Sequence, residues 1–326
     1  MEKNAKIYVA GHKGMVGAAI CRALETLGYT SIIHRTHAEL DLTCQQDVEK
    51  FFKTERPDYI FLAAARVGGI LANSTFPADF IYQNMMIQSH IIHCAYAFEA
   101  KKLVFLGSSC IYPRNCPQPM KEEYLLTDTL EPTNEAYAIA KIAGIKMCQS
   151  YFRQYGCNFV SVMPTNLYGI NDNFDLETSH VLPAMIRKFH EAKLRWQDAS
   201  EKVRQNICVT LWGTGTPLRE FLFVDDMADA CVFTMNHIEA PDLYSKAITH
   251  LNIGAGQEIS IAELAALIKE ITGFKGNIVY DTTKPDGTPR KLLDVRRMSE
   301  FGWRYHTKLR EGVEKTYQWY IKENQK

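Results

Sequence analysis

The chain has no surplus of either charge. Its 37 lysines and arginines are matched by 37 aspartates and glutamates, and no long basic run concentrates them. Bulk attraction to a polyanion is therefore not expected, which removes nucleic acid as a partner. Long apolar stretches are missing too. Runs such as Ile60-Phe-Leu-Ala-Ala-Ala65 fall far below the roughly 20 residues that cross a bilayer, so no membrane association is expected. The short lead from Met1 to Lys6, running directly into the apolar Ile7 to Ala10, leaves no room for a signal peptide. The nine cysteines (21, 44, 94, 110, 116, 148, 157, 208, 231) are odd in number, with no Cys-x-x-Cys pair and no His/Cys spacing of a zinc site. They read as reduced thiols in a cytoplasmic protein without a metal site. Internal repeats and low-complexity segments are absent. What is left is a soluble globular chain of 326 residues, 46% hydrophobic, long enough for one large domain or two unequal ones.

The N-terminal half alternates between two periodicities. Lys6-Ile-Tyr-Val-Ala10 reads as a buried strand, followed by a glycine turn and a helix whose apolar residues Val16, Ile20, Leu24 and Leu27 recur at helical spacing. Strands are expected at Ser31 to His34, Asp58 to Leu62, Lys102 to Leu106 and Phe159 to Met163, the last ended by Pro164. A polar helix is expected around Asp47 to Glu55. Strands alternating with helices imply an α/β protein with a Rossmann-type, doubly wound parallel sheet covered on both faces. Further on, the pattern predicts a helix over Val181 to Ala192, then an exposed irregular loop over Lys193 to Gln205. Phe221 to Asp226 reads as a strand entering a helix, with Asp225 and Asp226 as helix-start residues. His250 to Ile253 reads as a strand, and Ser260-Ile-Ala-Glu263 as a capping box opening a helix through Ile271. The expected division is a nucleotide-binding domain over 1–168 plus about 208–240, and a smaller C-terminal α/β substrate domain over about 169–207 plus 241–326.

Two motifs carry chemistry. Tyr137 and Lys141 stand one helical turn apart in Glu135-Ala-Tyr-Ala-Ile-Ala-Lys141, downstream of Gly107-Ser-Ser-Cys110. Positions i and i+4 share a helix face, so the ammonium is expected to sit beside the phenol and favour its ionised form. A hydride arriving at a ketone creates an alkoxide, which needs a preorganised donor and a nearby acid. The second motif, Gly11-His-Lys-Gly14-Met-Val-Gly17, follows the first strand and opens the first helix. That is where glycines admit a dinucleotide pyrophosphate to a helix N-terminus, although the Gly-xx-Gly-xx-Gly spacing departs from the Gly-x-Gly-xx-Gly form. At the end of the second strand, His34-Arg35-Thr36-His37 offers a cation where an acidic residue would hold a ribose 2′-hydroxyl, and Lys13 adds a second positive charge. This favours NADPH over NADH.

Together these features resemble the extended short-chain dehydrogenase/reductases and, among them, the GDP-L-fucose synthase family. The runs that narrow the match are Ala10-Gly-His-Lys-Gly-Met-Val-Gly17, Val67-Gly-Gly-Ile-Leu-Ala-Asn73, Phe80-Ile-Tyr-Gln-Asn-Met-Met86, Phe105-Leu-Gly-Ser-Ser-Cys-Ile-Tyr-Pro113, Pro132-Thr-Asn-Glu-Ala-Tyr-Ala-Ile-Ala-Lys141, Met163-Pro-Thr-Asn-Leu-Tyr-Gly169 and Lys284-Pro-Asp-Gly-Thr-Pro-Arg-Lys291. The resemblance covers nearly the whole chain. It implies an enzyme that takes GDP-4-keto-6-deoxy-D-mannose, inverts carbons 3 and 5, and reduces the carbon-4 ketone with NADPH. By the same resemblance Tyr137 donates the proton to the carbon-4 oxygen, Ser108 hydrogen-bonds that oxygen, and Lys141 holds the nicotinamide ribose. Cys110 and His180 match the epimerase base and acid, the thiol being expected to have a modestly lowered pKa. The cofactor residues it implies are Gly11, His12, Lys13, Gly14, Met15, Val16 and Gly17 in the turn, with Arg35 and His37 beyond it. Leu106, Gly107, Ser108, Lys141, Pro164, Thr165, Asn166, Leu167 and His180 complete that set. Lys188, Trp212, Arg219 and Asp286 match contacts to the GDP-sugar, and a homodimer through the helices at Met85–Ala100 and Tyr137–Phe152 is expected. His37 departs from the family pattern, standing where some members carry arginine.

Two competing readings remain at this stage. Another nucleotide-sugar enzyme of the same fold, a 4-epimerase or 4,6-dehydratase, would keep and recycle its cofactor; the absence of an acidic residue in Ser109-Cys110-Ile111-Tyr112 argues against elimination. A non-catalytic NADP-binding regulator would have no need for the Ser108, Tyr137 and Lys141 set.

Overall fold

The computed structural model describes residues 1–284 and 286–324. Pro285, inside the run at 284–291, and Gln325 and Lys326, at the end of the expected second domain, lie outside the described residues. The first half runs β1 (Ile7–Ala10), α1 (Met15–Thr26), β2 (Ile32–Ile33), α2 (Gln45–Glu55), β3 (Tyr59–Leu62), α3 (Ile70–Thr75), α4 (Pro77–Ala97), β4 (Lys102–Leu106), α5 (Glu135–Tyr155) and β5 (Phe159–Pro164). The second half runs β6 (Asn166–Tyr168), α6 (Val181–Asp198), α7 (Glu201–Arg204), β7 (Cys208–Trp212), β8 (Leu218–Phe223), α8 (Val224–His237), α9 (Ala240–Tyr244) and β9 (Leu251–Ile253). It closes with β10 (Glu258–Ser260), α10 (Ile261–Thr272), β11 (Asn277–Asp281), β12 (Arg290–Lys291), α11 (Arg296–Glu300) and α12 (Leu309–Asn324).

Six strands form a parallel sheet in the order β2-β1-β3-β4-β5-β9. A parallel sheet is buried on both faces, which is why β1, β3 and β4 read as near-continuous apolar runs. Ile7, Val9, Phe61 and Val104 point into one core with α1 and α8. Tyr8, Ile60, Leu62 and Phe105 point into another with α2, α4 and α5. The chain leaves β1 towards β2 on one side and β3 on the other, so the strand order reverses beside β1 and opens a crevice at the carboxyl ends. A second layer centres on β8, which pairs with β6 and β12 in parallel and with β10 antiparallel; β7 and β11 form a separate parallel pair. Helices α6, α10 and α12 bury Ile186, Phe189, Leu264, Ile268 and Val313 beneath these strands.

Most expected elements are present, including the Ser260/Glu263 capping box at α10. Four details differ. Lys193 to Gln205 is not an irregular loop: α6 continues to Asp198, and α7 folds back so that Arg204 covers the Trp196 ring at 4.5 Å and donates to the Trp196 carbonyl at 2.9 Å. Leu27 lies past the end of α1, 47% exposed, where the chain turns out at Gly28 (φ +77°). β5 runs one residue further than expected, with Pro164 as its last residue opposite Ile253. Pairing also distributes the layers differently from the expected spans: β9, at 251–253, completes the main sheet, whereas Val209, Leu211, Phe221 and Phe223 pack with α6, α10 and α12. Long-range pairing decides this, and local periodicity carries no record of it. Among the described residues no helix is long and apolar enough to cross a membrane.

Candidate active site

The glycine turn has a steric explanation. Gly11 adopts φ +87°, and a Cβ there would lie 2.7 Å from the Ala64 nitrogen. At Gly17 a Cβ would lie 2.1 Å from the Gly11 carbonyl oxygen, so this glycine lets α1 pack against its own entry turn. Gly14 is different: it N-caps α1 without a side-chain hydrogen bond, donates its N–H to the Gly11 carbonyl at 2.9 Å, and has room for a Cβ at 3.4 Å. The first amides of α1 are thus left without a side-chain cap above the sheet crevice, a cradle suited to a pyrophosphate. His12 stacks on His34 at 4.3 Å and 18°, joining the turn to the end of β2; crowding by protein, with His34 and Lys13 nearby, lowers its pKa. Lys13 is exposed, and Met15 and Val16 pack on the first core.

Arg35 is placed at the crevice but is not free. It donates to Glu55 Oε1 at 2.5 Å and to the His34 carbonyl at 2.8 Å, and lies over the Phe51 ring. A 2′-phosphate bound there would compete with the Glu55 carboxylate for the guanidinium. His37 has its side chain 86% exposed and 3.9 Å from Asp41.

Helix α5 brings Tyr137 and Lys141 to the carboxyl end of β4. Lys141 is buried and donates to the Leu106 carbonyl at 2.8 Å, with its ammonium 4.9 Å from the Phe105 ring centre and 5.8 Å from that of Tyr137. Ser108 caps a short 3-10 helix at 109–111, accepting from the Cys110 amide at 3.4 Å. Its hydroxyl also faces the Tyr137 phenol and the Cys110 thiol and draws both pKa values down. Burial outweighs that pull. It raises the phenol well above its ordinary value, raises the thiol, and lowers the Lys141 ammonium to about 8. Two expectations are therefore corrected: the phenol is not shifted towards ionisation, and the thiol is raised, because loss of water costs each charged form more than the Ser108 hydrogen bond returns and, for the thiol, more than Lys291 and Lys141 add.

His180 N-caps α6 and remains open to solvent in the cleft, although the surrounding protein depresses its imidazole pKa. It joins the Tyr137 side of the cleft indirectly. The Gly69 amide donates to the Thr178 carbonyl at 3.2 Å, Gly68 lies against the Phe80 ring, and Phe80 meets Tyr137 edge-on at 6.3 Å. Next to β5, Thr165 and Asn166 reach the Glu220 carbonyl at 3.3 and 2.8 Å, and Leu167 packs on the first core. Gly107 donates to the Val162 carbonyl at 2.8 Å and lies against Met163.

The four substrate candidates fall on one wall, built from α6, β7, β8 and the segment before β12. Lys188 is half-buried, 3.4 Å from the Thr210 carbonyl, and burial lowers its pKa. Trp212 ends β7 with 67% of its surface exposed and Lys284 over its ring at 5.7 Å, so it is no core residue. Arg219 donates to the Leu218 carbonyl at 2.8 Å; burial lowers its pKa and Asp286 opposes that. Asp286 accepts from the Thr214 amide at 2.9 Å and hydroxyl at 2.7 Å, clamping the turn after β7. Asp225 pairs with Arg22 at 2.6 Å and Asp226 accepts from the His306 and Thr307 amides, structural roles at the start of α8.

Two residues of this region escaped the sequence reading. Glu220, fully buried in β8, accepts from the Gly256 amide at 2.7 Å and the Leu293 amide at 2.9 Å, holding the segment after β12 against the ends of β8 and β9. Its only signal was a carboxylate inside an apolar strand. Lys291, in β12, stands beside Arg219 in parallel register and lines a small cavity with Cys110; nothing local distinguished it from a surface lysine.

Residues 7–254 match the model of the NAD dependent epimerase/dehydratase family. The chain is 57% identical to GDP-L-fucose synthase 1 of Arabidopsis thaliana over 98% of its length and 94% of that protein's. It is 53% identical to the GDP-L-fucose synthase of Escherichia coli (strain K12), covering 98% of this chain and 97% of the other. Among solved structures, a GDP-D-glycero-L-gluco-heptose synthase from Campylobacter jejuni, crystallised in the presence of NADPH, superposes with a TM-score of 0.92 at 41% identity over 98% of this chain and 99% of the other.

Proposed function

This chain belongs to the NAD dependent epimerase/dehydratase family, alongside the GDP-L-fucose synthases, and from that premise we propose that it converts GDP-4-keto-6-deoxy-D-mannose to GDP-L-fucose by 3,5-epimerisation and NADPH-dependent 4-keto reduction. The observation that carries this reading is the corner where one hydroxyl, that of Ser108, faces both the Tyr137 phenol and the buried Cys110 thiol. Plain ketone reduction uses the first; only proton exchange beside the ketone has a use for the second.

The glycine cradle fits a dinucleotide, since its amides are uncapped and its one roomy glycine faces the crevice. When bound, the reduced nicotinamide supplies the hydride for carbon 4. Cys110, as thiolate, removes a proton beside the ketone, and His180 returns one on the opposite face. A depressed imidazole pKa makes the protonated ring a stronger donor once it forms. Tyr137 gives its proton to the carbon-4 oxygen while Ser108 hydrogen-bonds that oxygen. A phenol raised by burial keeps this proton at neutral pH, and Lys141 supplies the cation that offsets the phenolate left behind. Lys188 and Arg219 suit the pyrophosphate, Trp212 a base or sugar face, and Asp286 hydroxyl or amino groups.

The protein acts as a cytoplasmic homodimer in this reading. Support for the dimer comes from the outer faces of α4 and α5, which expose Tyr82, Ile139 and Tyr155 and stack Tyr96 on Tyr155 at 4.2 Å. Apolar surface of that kind is typical of a covered interface. Stoichiometric oxidation of NADPH by the keto-sugar separates this activity from a 4-epimerase or 4,6-dehydratase, which would recycle the cofactor. The deciding experiment is Cys110→Ala in deuterated water. It is expected to lose deuterium at carbons 3 and 5 yet oxidise NADPH slowly, giving a reduced sugar that has not been inverted. Exchange at the parent rate with GDP-L-fucose as product would place the epimerase base elsewhere.

A further inference from the structure

Cys110 presents a physical problem for any base role. Burial raises its pKa, and a protonated thiol removes nothing from carbon, so a cation must hold the thiolate in place. We propose that Lys291 is that cation, a positioning residue that maintains Cys110 as thiolate for proton removal beside the ketone. The inference rests on the reading of Cys110 as the epimerase base.

The geometry is independent of the titration behaviour. β12 is a two-residue strand that pairs with β8, and the register sets Lys291 beside Arg219. This carries Lys291 to the turn that holds Cys110: both line a cavity of about 10 Å³, the space of roughly one water. The strand is held there by the neighbouring backbone, since the Leu293 amide donates to buried Glu220 at 2.9 Å and the Leu292 amide to Gln118 at 2.8 Å. Among the described residues the Lys291 ammonium has no ion pair and no side-chain hydrogen bond.

The other charges around the cavity are committed. Arg114 pairs with Glu131 at 3.3 Å, and Arg290 with Glu258 at 2.7 Å. Lys141, which does not line the cavity, donates to the Leu106 carbonyl and serves the phenol and ribose in the proposed mechanism. Tyr137 is neutral, and Cys116 is a half-buried thiol whose pKa burial raises. Arg219 faces Asp286. Lys291 is the cation that remains. The pKa directions agree with the placement: Lys291 draws the Cys110 thiol down against burial, and Cys110, with Glu131 and Cys116, raises Lys291 against burial and Arg219. In the chemical step the thiolate sulfur takes up the carbon-bound proton, the electron pair of that C–H bond passes into the enolate, and no oxidant or reductant is involved.

The deciding titration is made without substrate, so that a role of Lys291 in holding the GDP-sugar cannot enter it. Thiolate absorbance near 240 nm is titrated in the parent, Lys291→Met, Lys291→Gln and Lys291→Arg proteins, each subtracted from its Cys110→Ser counterpart to isolate this thiol among nine. Circular dichroism and NADPH titration verify that each variant is folded. An opposite charge at close range shifts a pKa by about 1 or more; Lys291→Met and Lys291→Gln should therefore raise the Cys110 midpoint by at least about 1 pH unit, while Lys291→Arg should restore it. Deuterium wash-in at pH 7 should fall about tenfold in the neutral variants and recover as pH is raised, following the thiolate fraction. An unchanged Cys110 midpoint in both neutral variants would overturn the proposal. Parent-rate wash-in by Cys110→Ala would instead overturn the base assignment, an outcome the midpoint measurement cannot mimic.

Discussion

Gly14 and Gly17 stand three residues apart in the same turn, yet the structure assigns them different work, and replacing each by alanine separates the two. At Gly17 the new methyl would lie 2.1 Å from the Gly11 carbonyl oxygen. Carbon–oxygen contacts settle at about 3.3 Å or more, so α1 would have to move by about 1.2 Å against backbone that cannot swing aside. Overpacking of this kind costs up to about 3 kcal/mol, and the higher helix propensity of alanine returns up to about 1 kcal/mol. The net loss is about 2 kcal/mol. With an unfolding entropy of about 0.7 kcal/mol/K for a chain of this length, Tm in the absence of cofactor should fall by about 3 °C. NADPH affinity should fall as well, because the displaced helix carries the cradle. At Gly14 the methyl meets nothing closer than 3.4 Å, and exchanging glycine for alanine at an N-cap costs about 1 kcal/mol or less. The methyl instead occupies the approach to the uncapped amides, so the NADPH Kd should rise at least tenfold, about 1.4 kcal/mol, while Tm falls by about 1.5 °C or less. Fluorescence titration and thermal unfolding without cofactor measure the two quantities. Parent-like NADPH binding by Gly14→Ala, or a parent-like Tm for Gly17→Ala, would refute the reasoning.

Tyr137→Phe should abolish ketone reduction while leaving NADPH affinity largely unchanged, because the phenol acts in the transition state; near-normal turnover would remove it from the mechanism. Arg35→Ala should weaken NADPH and spare NADH, and Glu55→Gln should do the opposite by releasing the guanidinium from its 2.5 Å pairing; parallel titrations of both cofactors that show equal changes would discount Arg35 as the 2′-phosphate ligand. For Lys141 the folded pKa of about 8 lies below its unfolded value, so its stabilising contribution is complete above about 10.4 and is lost as pH falls through 8. The stability of Lys141→Met relative to the parent should therefore be greatest near pH 7 and shrink towards pH 10 in denaturant titrations. A pH-independent difference would contradict the buried-ammonium account.

Local sequence was sufficient wherever a property is written in a few consecutive residues. The alternation that yields β1, α1, β3 and β4 follows from periodicity, since an apolar run flanked by polar turns has one place in a doubly wound sheet. The Tyr137–Lys141 pair shares a helix face because i and i+4 always do, and the glycine spacing located the cradle. Tertiary structure alone settled what depends on distant chain segments or on exclusion of water. No periodicity says that β9 completes the main sheet, that Glu55 occupies Arg35, or that α6 runs on to Asp198 under the hold of Arg204. The phenol and the thiol had been expected to ionise more readily, and the reverse holds because desolvation belongs to the packed neighbourhood, which the sequence does not display. Lys291 is the sharpest instance: 181 residues from Cys110 along the chain, it reaches that thiol's cavity because a two-residue strand pairs with β8. Register is fixed by hydrogen bonds between strands, so the meeting of these two groups exists only once the chain has folded.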